Sequence, residues 1–301
     1  MGKRIYLIIL IIISIFLAAC MNQANQNQNQ VNQEEKAPET LNMVLEGIDE
    51  LLVSVDSIMD IMELSESEFQ AERSQKEGQQ QQNEQQSDGE GRGADQGQNQ
   101  SEEQGQSQGQ NQNSESSEQQ QKDTTRDDEL FLKWKEVDQK LKEVHEGWNS
   151  YEVESIEKGA NQEKGSEFKK NLNDFTVAIE NRQMDDIVDA GSRAINSLAV
   201  FFELYKDEIR GDLSRIKYLV YQAFLQAEDE NMKKANDLLN NTEEHISRVR
   251  QKLEDDDEKT KDLEKLSLAI SDMKLALENN NIELLKIKRD VVIKNIKSLQ
   301  E

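Results

Sequence analysis

Apolar residues recur at alternating intervals of four and three positions in this chain, and this spacing limits the fold more than any other feature. One such series lies near the N-terminus and another in the middle of the chain: Leu41, Leu45, Ile48, Leu52, Val55, Met59 and Met62, then Leu130, Trp134, Val137, Leu141, Val144, Trp148 and Tyr151. The spacing places apolar side chains on one face of a helix, and no window alternates with the period of a strand. The chain has a single proline, the residue least compatible with a helix interior. The sequence therefore predicts an all-α protein.

The C-terminal half contains an internal repeat. The segment 174–184 matches 272–282 at a constant offset of 98 positions, and a less similar copy, 227–232, lies near the midpoint. Each copy has a turn of Asn, Asp or Glu type followed by Met or Ile. The repeat unit is therefore about half of this offset in length. A unit of that size is typical of a helical hairpin that cannot bury its apolar face alone.

The repeat predicts three helical hairpins within a domain over 127–301. The expected helices are 127–157, 166–181, 184–209, 212–229, 231–254, 259–279 and 281–299. Short connections make neighbouring helices antiparallel. The expected fold is an antiparallel helical-hairpin bundle or a short helical-repeat array, joined to the rest of the chain by disordered linkers.

Two polar tracts divide the chain. Residues 20–39 are rich in Asn and Gln, and 71–126 are rich in Gln, Ser, Glu and Gly, with Ala94 as the only hydrophobic residue between Glu72 and Asp128. Such tracts have too little apolar surface to offset the entropy of ordering the chain. We expect a spacer over 20–39 and a disordered linker over 71–126.

The first twenty residues have the organisation of an export signal. Lys3 and Arg4 precede an apolar segment of signal-peptide length, shorter than a membrane-spanning helix. The segment ends in Leu17-Ala18-Ala19-Cys20, which resembles the lipobox of bacterial membrane lipoproteins. The resemblance implies that a signal peptide over 1–19 is removed, with Leu17, Ala18 and Ala19 as the peptidase recognition residues. It also implies that Cys20, the only cysteine, carries diacylglyceryl and further acyl chains such as palmitate, which give stable anchoring.

The segment 40–70 is predicted to be an amphipathic helix with Thr40 as its N-cap. It has eight acidic residues and no basic residue, and its wide apolar face needs a partner surface. That surface belongs to the distal domain, to a second copy, or to another protein. Leu45, Leu52, Val55 and Met59 are the candidate partner-binding residues.

The charge balance and the residue types exclude several functions. A net charge of −25 excludes general nucleic-acid binding, which needs clustered cations. Neither histidine, His145 or His245, has a second ligand at metal-site spacing. Asp185, Asp186 and Asp189 are typical of a helix N-terminus, with a hard-cation site as the alternative. The sequence nominates no catalytic residue, no metal site and no cofactor.

These features predict a non-catalytic protein of the cell envelope. It is expected on the extracytoplasmic face of the cell membrane, held there by its lipid anchor, where it acts as an interaction or scaffold protein with a protein partner or by self-association. A solute- or metal-ion-binding lipoprotein that serves a transporter is the alternative. That alternative requires a ligand cleft in the helical domain.

Overall fold

The computed structural model describes residues 36–75, 124–206, 208–253 and 256–300. Within these ranges all regular secondary structure is helical, which confirms the all-α prediction. The same ranges contain eight long helices: α1 (Glu39–Glu63), α2 (Arg126–Glu157), α3 (Gln162–Asn181), α4 (Met184–Phe202), α5 (Arg210–Glu228), α6 (Met232–Lys252), α7 (Asp257–Glu278) and α8 (Ile282–Gln300). Residues 66–75 are also helical.

The chain divides into two compact units. The larger unit contains the described residues of 36–49 and 143–300, and the smaller unit contains those of 50–142. Helices α1 and α2 contribute residues to both units.

The last four helices of the larger unit form a closed four-helix bundle. Helix α5 packs against α6 and α8, and α7 packs against the same two helices. Their inward positions form one apolar core, whose fully buried members are Leu213, Ile216, Val220, Ala223, Ala235, Leu239, Val249, Leu263, Leu266, Met273, Val292, Ile296 and Leu299. Of the two predicted arrangements, these hairpins adopt the bundle.

The first hairpin, α3–α4, packs onto this bundle through contacts between α4 and α5. A close approach of backbones is possible there because position 211 is glycine. A Cβ atom at Gly211 would lie 2.8 Å from the carbonyl oxygen of Ala199, a distance that a side chain cannot adopt without a backbone shift.

The three hairpin turns share one backbone feature. Arg182, Glu230 and Asn280 have φ angles of 53°, 61° and 48°, and they are the non-glycine residues with positive φ in the described ranges. They occupy equivalent positions of the sequence repeat. The repeat therefore marks a turn in which the residue after the helix has the left-handed conformation.

The observed helix bounds differ from the predicted ones mainly at the end of α4. That helix ends at Phe202, and not at residue 209 as predicted. Tyr205 and Ile209 lie beyond the helix yet are 5% and 7% exposed, so these two buried residues continue the apolar pattern of the helix before them.

Aromatic side chains join α2 to the first hairpin. The ring centroid of Trp148 lies 4.3 Å from that of Phe168 on α3 and 5.0 Å from that of Phe201 on α4. The hydroxyl groups of Tyr151 and Tyr205 are 3.4 Å apart. These rings are buried, as expected of aromatic residues at helical spacing.

Candidate functional site: the surface that receives helix α1

The N-terminal half of α1 is part of the core of the larger unit. Leu41, Val44 and Ile48 have no exposed surface, and Leu45 is 2% exposed. Fully burying each such side chain contributes roughly 1.5 to 3 kcal/mol. The wide apolar face predicted for 40–70 therefore has its partner surface, at least over this half, within the same chain.

Helix α1 runs antiparallel to α2 in this unit. The Thr40 hydroxyl donates a hydrogen bond of 3.5 Å to the Glu154 carboxylate. Further along, a Cβ atom at Gly147 would lie 3.2 Å from Cγ2 of Val44, so glycine at this position allows the two helices to approach closely. The prediction of Thr40 as N-cap was wrong, because α1 begins at Glu39 and Thr40 lies in its first turn.

An ion pair between Asp49 and Lys217 connects α1 to α5. The Lys217 ammonium donates a hydrogen bond to the Asp49 carboxylate. Lys217 is 2% exposed and Asp49 is 22% exposed. An ammonium group withdrawn from water needs an opposite charge nearby, so this surface of the larger unit is matched to an acidic helix.

The smaller unit holds the two ends of the long polar segment together. The Gln70 side-chain amide donates a 2.9 Å hydrogen bond to the carbonyl of Thr124, and the Arg73 guanidinium donates to the same carbonyl at 3.3 Å. The Arg126 guanidinium donates to the Leu64 carbonyl at 2.6 Å. Residues 76–123 therefore leave and re-enter the described structure at neighbouring points.

Two capping boxes define the helix starts at this place. The Ser65 backbone N–H donates to the Glu68 carboxylate at 2.9 Å, and the Thr125 N–H donates to Asp128 at 3.2 Å. Hydrogen bonds from Ser65 and Thr125 lower the pKa values of Glu68 and Asp128. The Ser65 cap divides the single helix predicted over 40–70 into α1 and the helical residues 66–75.

The predicted partner-binding residues lie along the buried face of α1. Leu45, Leu52 and Val55 are 2%, 1% and 0% exposed, and Met59 is partly exposed. An external partner would have to displace α1 to reach the first three. The predicted lipidation site Cys20 and its recognition residues Leu17, Ala18 and Ala19 lie outside the described residues, as do most of the two predicted polar tracts; residues 71–75 of the second tract are helical.

An ionic cluster that the sequence analysis missed surrounds Asp212 at the start of α5. Arg248 Nε donates to its carboxylate at 2.7 Å, Lys252 Nζ at 3.0 Å, and His245 Nδ1 lies 3.1 Å away. Asp212 is 3% exposed. Burial alone would raise the pKa of Asp212, but the hydrogen bonds from His245, Arg248 and Lys252 outweigh it and hold this pKa well below its usual range.

The spacing of these three residues was a signal in the sequence. His245, Arg248 and Lys252 lie at i, i+3 and i+7, on one face of α6. Their common partner is thirty-three or more positions earlier in the chain, so the basic stripe can be found from sequence but its acceptor cannot. The cluster fastens α5 to α6, and each Asp212 oxygen already accepts a hydrogen bond from the protein.

The other histidine has a structural role. His145 Nε2 lies 2.8 Å from the Thr176 hydroxyl, which donates to the Leu172 carbonyl. Since that hydroxyl proton is used, His145 is the donor to Thr176. Burial lowers the pKa of His145, so the neutral ring joins α2 to α3.

Of the three acidic residues predicted to mark the start of α4, Asp189 pairs with neighbours in the larger unit, whereas Asp185 and Asp186 are exposed. Asp189 accepts a hydrogen bond from Gln222 at 2.8 Å and pairs with Arg193 at 2.9 Å. Partial burial, together with the charges of Asp185 and Asp229, raises the pKa of Glu228 to about 7, against the opposing charges of Arg289 and Lys286. Among the residues that the structure describes, no group of three or more His, Cys, Asp and Glu could hold a metal ion.

The basic residues of α8 do not form one exposed patch. Arg289 is 2% exposed, with its guanidinium 4.6 Å from the ring centroid of Phe224 and bound to Asp290. Lys288 pairs with Asp272 of α7 at 3.1 Å. At least two basic residues of this helix are thus bound to acidic groups of the bundle itself.

A groove of about 580 Å³ lies between the start of α6 and the end of α7. Its lining combines the apolar side chains of Met232 and Leu275 with the charged ends of Lys233, Lys274 and Glu278. Lys274 pairs with Glu243 at 2.9 Å. This groove is one place in the described residues that offers space for the ligand of the solute-binding alternative.

Comparisons of this chain with known protein families, with curated proteins and with solved structures find no match. Within the described ranges, none of the helices combines the length and the apolar character that crossing a membrane requires.

Proposed function

We propose that this protein is a lipid-anchored, extracytoplasmic helical protein that acts without catalysis as an interaction or scaffold component of the cell envelope. The sequence Leu17-Ala18-Ala19-Cys20 after an apolar segment supports the anchor. The closed helical bundle supports a scaffold role, because it presents rigid helix faces. Lipidation of Cys20 would fix the protein to the membrane surface.

The observation that supports this proposal most is the integration of α1 into the larger unit. Helix α1 begins at Glu39, so residues 21–38 are all that separate the proposed acylated cysteine from this helix of the folded core. A segment of that length spans at most about 65 Å. The helical domain would then be held within this distance of the membrane.

The same arrangement supports a role for the second polar tract other than that of a tether between the membrane and the domain. Because Gln70 and Arg73 contact Thr124, residues 76–123 begin and end at neighbouring points and add nothing to the reach of the anchor. In this proposal the tract is an insertion between α1 and α2, and it does not connect the membrane to the domain.

The anchor is tested by replacing Cys20. In cells supplied with a labelled fatty acid, the wild-type chain should incorporate label and sediment with membranes, whereas Cys20→Ser should do neither. A matched control, Cys20→Ser combined with Asn22→Cys, keeps one thiol but displaces it from the lipobox, and it should also stay unlabelled. Label retained in Cys20→Ser would overturn the proposal.

The interaction role is tested by photo-crosslinking in intact cells. A photoreactive residue at Leu268, which is 68% exposed, should give discrete adducts on the cell surface. The same residue at the fully buried Leu266 is the control for background. If neither Leu268 nor the exposed Leu275 and Ile287 give adducts above this background, the scaffold role is contradicted.

A further inference from the structure

We propose that the surface that receives α1 also receives α1 of a second copy of this chain, so that α1 is an exchangeable element. The inference goes beyond the anchored scaffold proposed above. It uses the anchor only as the source of a high local concentration of copies. The receiving surface is defined by three residues, Gly147 and Glu154 on α2 and Lys217 on α5, which contact Val44, Thr40 and Asp49 of α1.

The contacts match the residue pattern of the chain's own helix. Because residue 147 is glycine, the side chain of Val44 can lie close to the backbone of α2 at this position. One turn further along α1, Ile48 is still fully buried, and the next residue, Asp49, supplies the charge that buried Lys217 needs. A helix with apolar residues and an acid at this spacing is matched to the surface, and α1 of any copy has both.

The covalent connection permits exchange. The helical residues that follow α1 are described as far as 75, and the chain is described again from 124. The connection between these two points is therefore 48 residues long. Covalent geometry allows a segment of this length to span up to about 160 Å, which is long enough to reach a neighbouring copy held on the same membrane face. In one chain the two ends are joined by hydrogen bonds of Gln70, Arg73 and Arg126, each of which contributes little net stability. The exchanged segment also buries Leu51, Leu52, Val55 and Ile58, so it must recover those contacts on the second copy.

A released α1 needs an equivalent surface. Leu41, Val44, Leu45 and Ile48, which are buried in one chain, would be exposed together, and a wide apolar helix face is unfavourable in water. The same surface on another copy covers it with the same contacts. Exchange of an identical element in this way is a low-cost route to a dimer.

Charge exchange at one pair tests the inference. Asp49→Lys places two ammonium groups opposite each other within one chain, and Lys217→Asp places two carboxylates there. In a mixed pair that exchanges α1, the lysine of the first variant would meet the aspartate of the second in one half, and the native Asp49 and Lys217 would meet in the other. Both contacts are then matched. Like charges at a buried contact are strongly unfavourable, which makes the mixed pair the favoured state.

The two full-length variants would carry different affinity tags, be co-expressed, and be purified in detergent through one tag. The second variant should be recovered with the first, at the mass of a dimer, and at a level about tenfold or more above that for two differently tagged copies of either single variant. The double variant Asp49→Lys/Lys217→Asp in one chain is the matched control, because it restores the contact internally and should pair no more readily than wild type. A mixture that stays monomeric, or single variants that pair as readily as the mixture, would overturn the inference.

A second measurement covers the case in which a single variant does not fold. Two differently tagged wild-type chains, unfolded together in urea and refolded at high protein concentration, should give mixed dimers that persist on dilution. Recovery of monomers alone would also overturn the inference. Both measurements are made in detergent solution, so their failure is distinct from a failure of Cys20 acylation.

Discussion

The ammonium group of Lys217 on α5 is bound to the carboxylate of Asp49 on α1, and Lys217 is 2% exposed while Asp49 is 22% exposed. The two residues are 168 positions apart. This pair connects the element that follows the proposed anchor to the four-helix bundle. Its two members differ in exposure, so the loss of one is not equivalent to the loss of the other.

Removing Asp49 should be more harmful than removing Lys217. Asp49→Ala leaves an ammonium group buried without its carboxylate, and we expect the free energy of unfolding to fall by about 3 to 5 kcal/mol. Lys217→Met removes the buried charge and leaves a carboxylate that can reach water, so the loss should be smaller. Urea unfolding followed by circular dichroism measures both. Equal losses would show that burial of Lys217 does not determine the energy of the pair.

Position 147 should not accept a larger side chain as easily as Gly165, another helical glycine. Gly147→Ala brings a Cβ atom to 3.2 Å from Val44, and Val44 is fully buried, so we expect a loss of about 1 kcal/mol. The matched control is Gly165→Ala on α3, whose Cβ would lie 3.7 Å from Glu152. That change should stabilise the helix by up to about 1 kcal/mol.

Shortening the side chain at position 44 should partly restore the stability that Gly147→Ala loses. If the loss comes from crowding against Val44, then Val44→Ala combined with Gly147→Ala should lose less than the sum of the two single variants. Additive losses in urea unfolding, or a gain in Gly147→Ala equal to that in Gly165→Ala, would contradict the close contact between α1 and α2.

The helices could be predicted from sequence because their signal is local. The spacing of four and three depends on neighbouring residues only, and the members of the first series from Leu41 to Val55 are buried as this spacing implies. The series fails at its end, where Met62 is 52% exposed. Hairpin turns were found because the repeat marks the three positions that need a left-handed residue, here Arg182, Glu230 and Asn280.

The contacts between distant elements could not be predicted in the same way. Helix α1 has several acidic residues that could pair with a basic residue, and the spacing of its apolar residues does not show that Asp49 is the one that pairs with Lys217. Asp212 likewise resembles an ordinary acid of a first helical turn, until the fold places His245, Arg248 and Lys252 against it. The end of α4 was placed too late because buried Tyr205 and Ile209 continue its apolar pattern.

Acid should weaken the protein through Asp212. Its pKa is lower in the folded state than in the unfolded chain, so the folded state binds fewer protons. The contribution to stability is complete above the unfolded value, about pH 3.9, and is lost as the pH falls further. Urea unfolding of wild type between about pH 5 and pH 2 should show this loss.

The matched variants for this acid effect are Asp212→Asn and Asp237→Asn. Asp212→Asn should be less stable than wild type at the upper end of this pH range and should lose less of its remaining stability on acidification. Asp237 lies at an exposed position of α6, so Asp237→Asn should follow the wild-type curve. If Asp212→Asn lost as much stability on acidification as wild type, Asp212 would not be a main source of the pH dependence.

The final prediction concerns residues 76–123, whose flanking residues already lie together. Since Gln70 and Arg73 donate to the Thr124 carbonyl, replacing 76–123 by about eight Gly and Ser residues should keep all described helices. Closing a shorter loop costs less entropy, so the free energy of unfolding should rise by about 1 to 2 kcal/mol. Circular dichroism and urea unfolding measure both effects, with Gln70→Ala/Arg73→Ala in the shortened chain as the control for the end contacts. A loss of helix or of stability on shortening would show that the segment itself supports the fold, and that its ends do not meet as described.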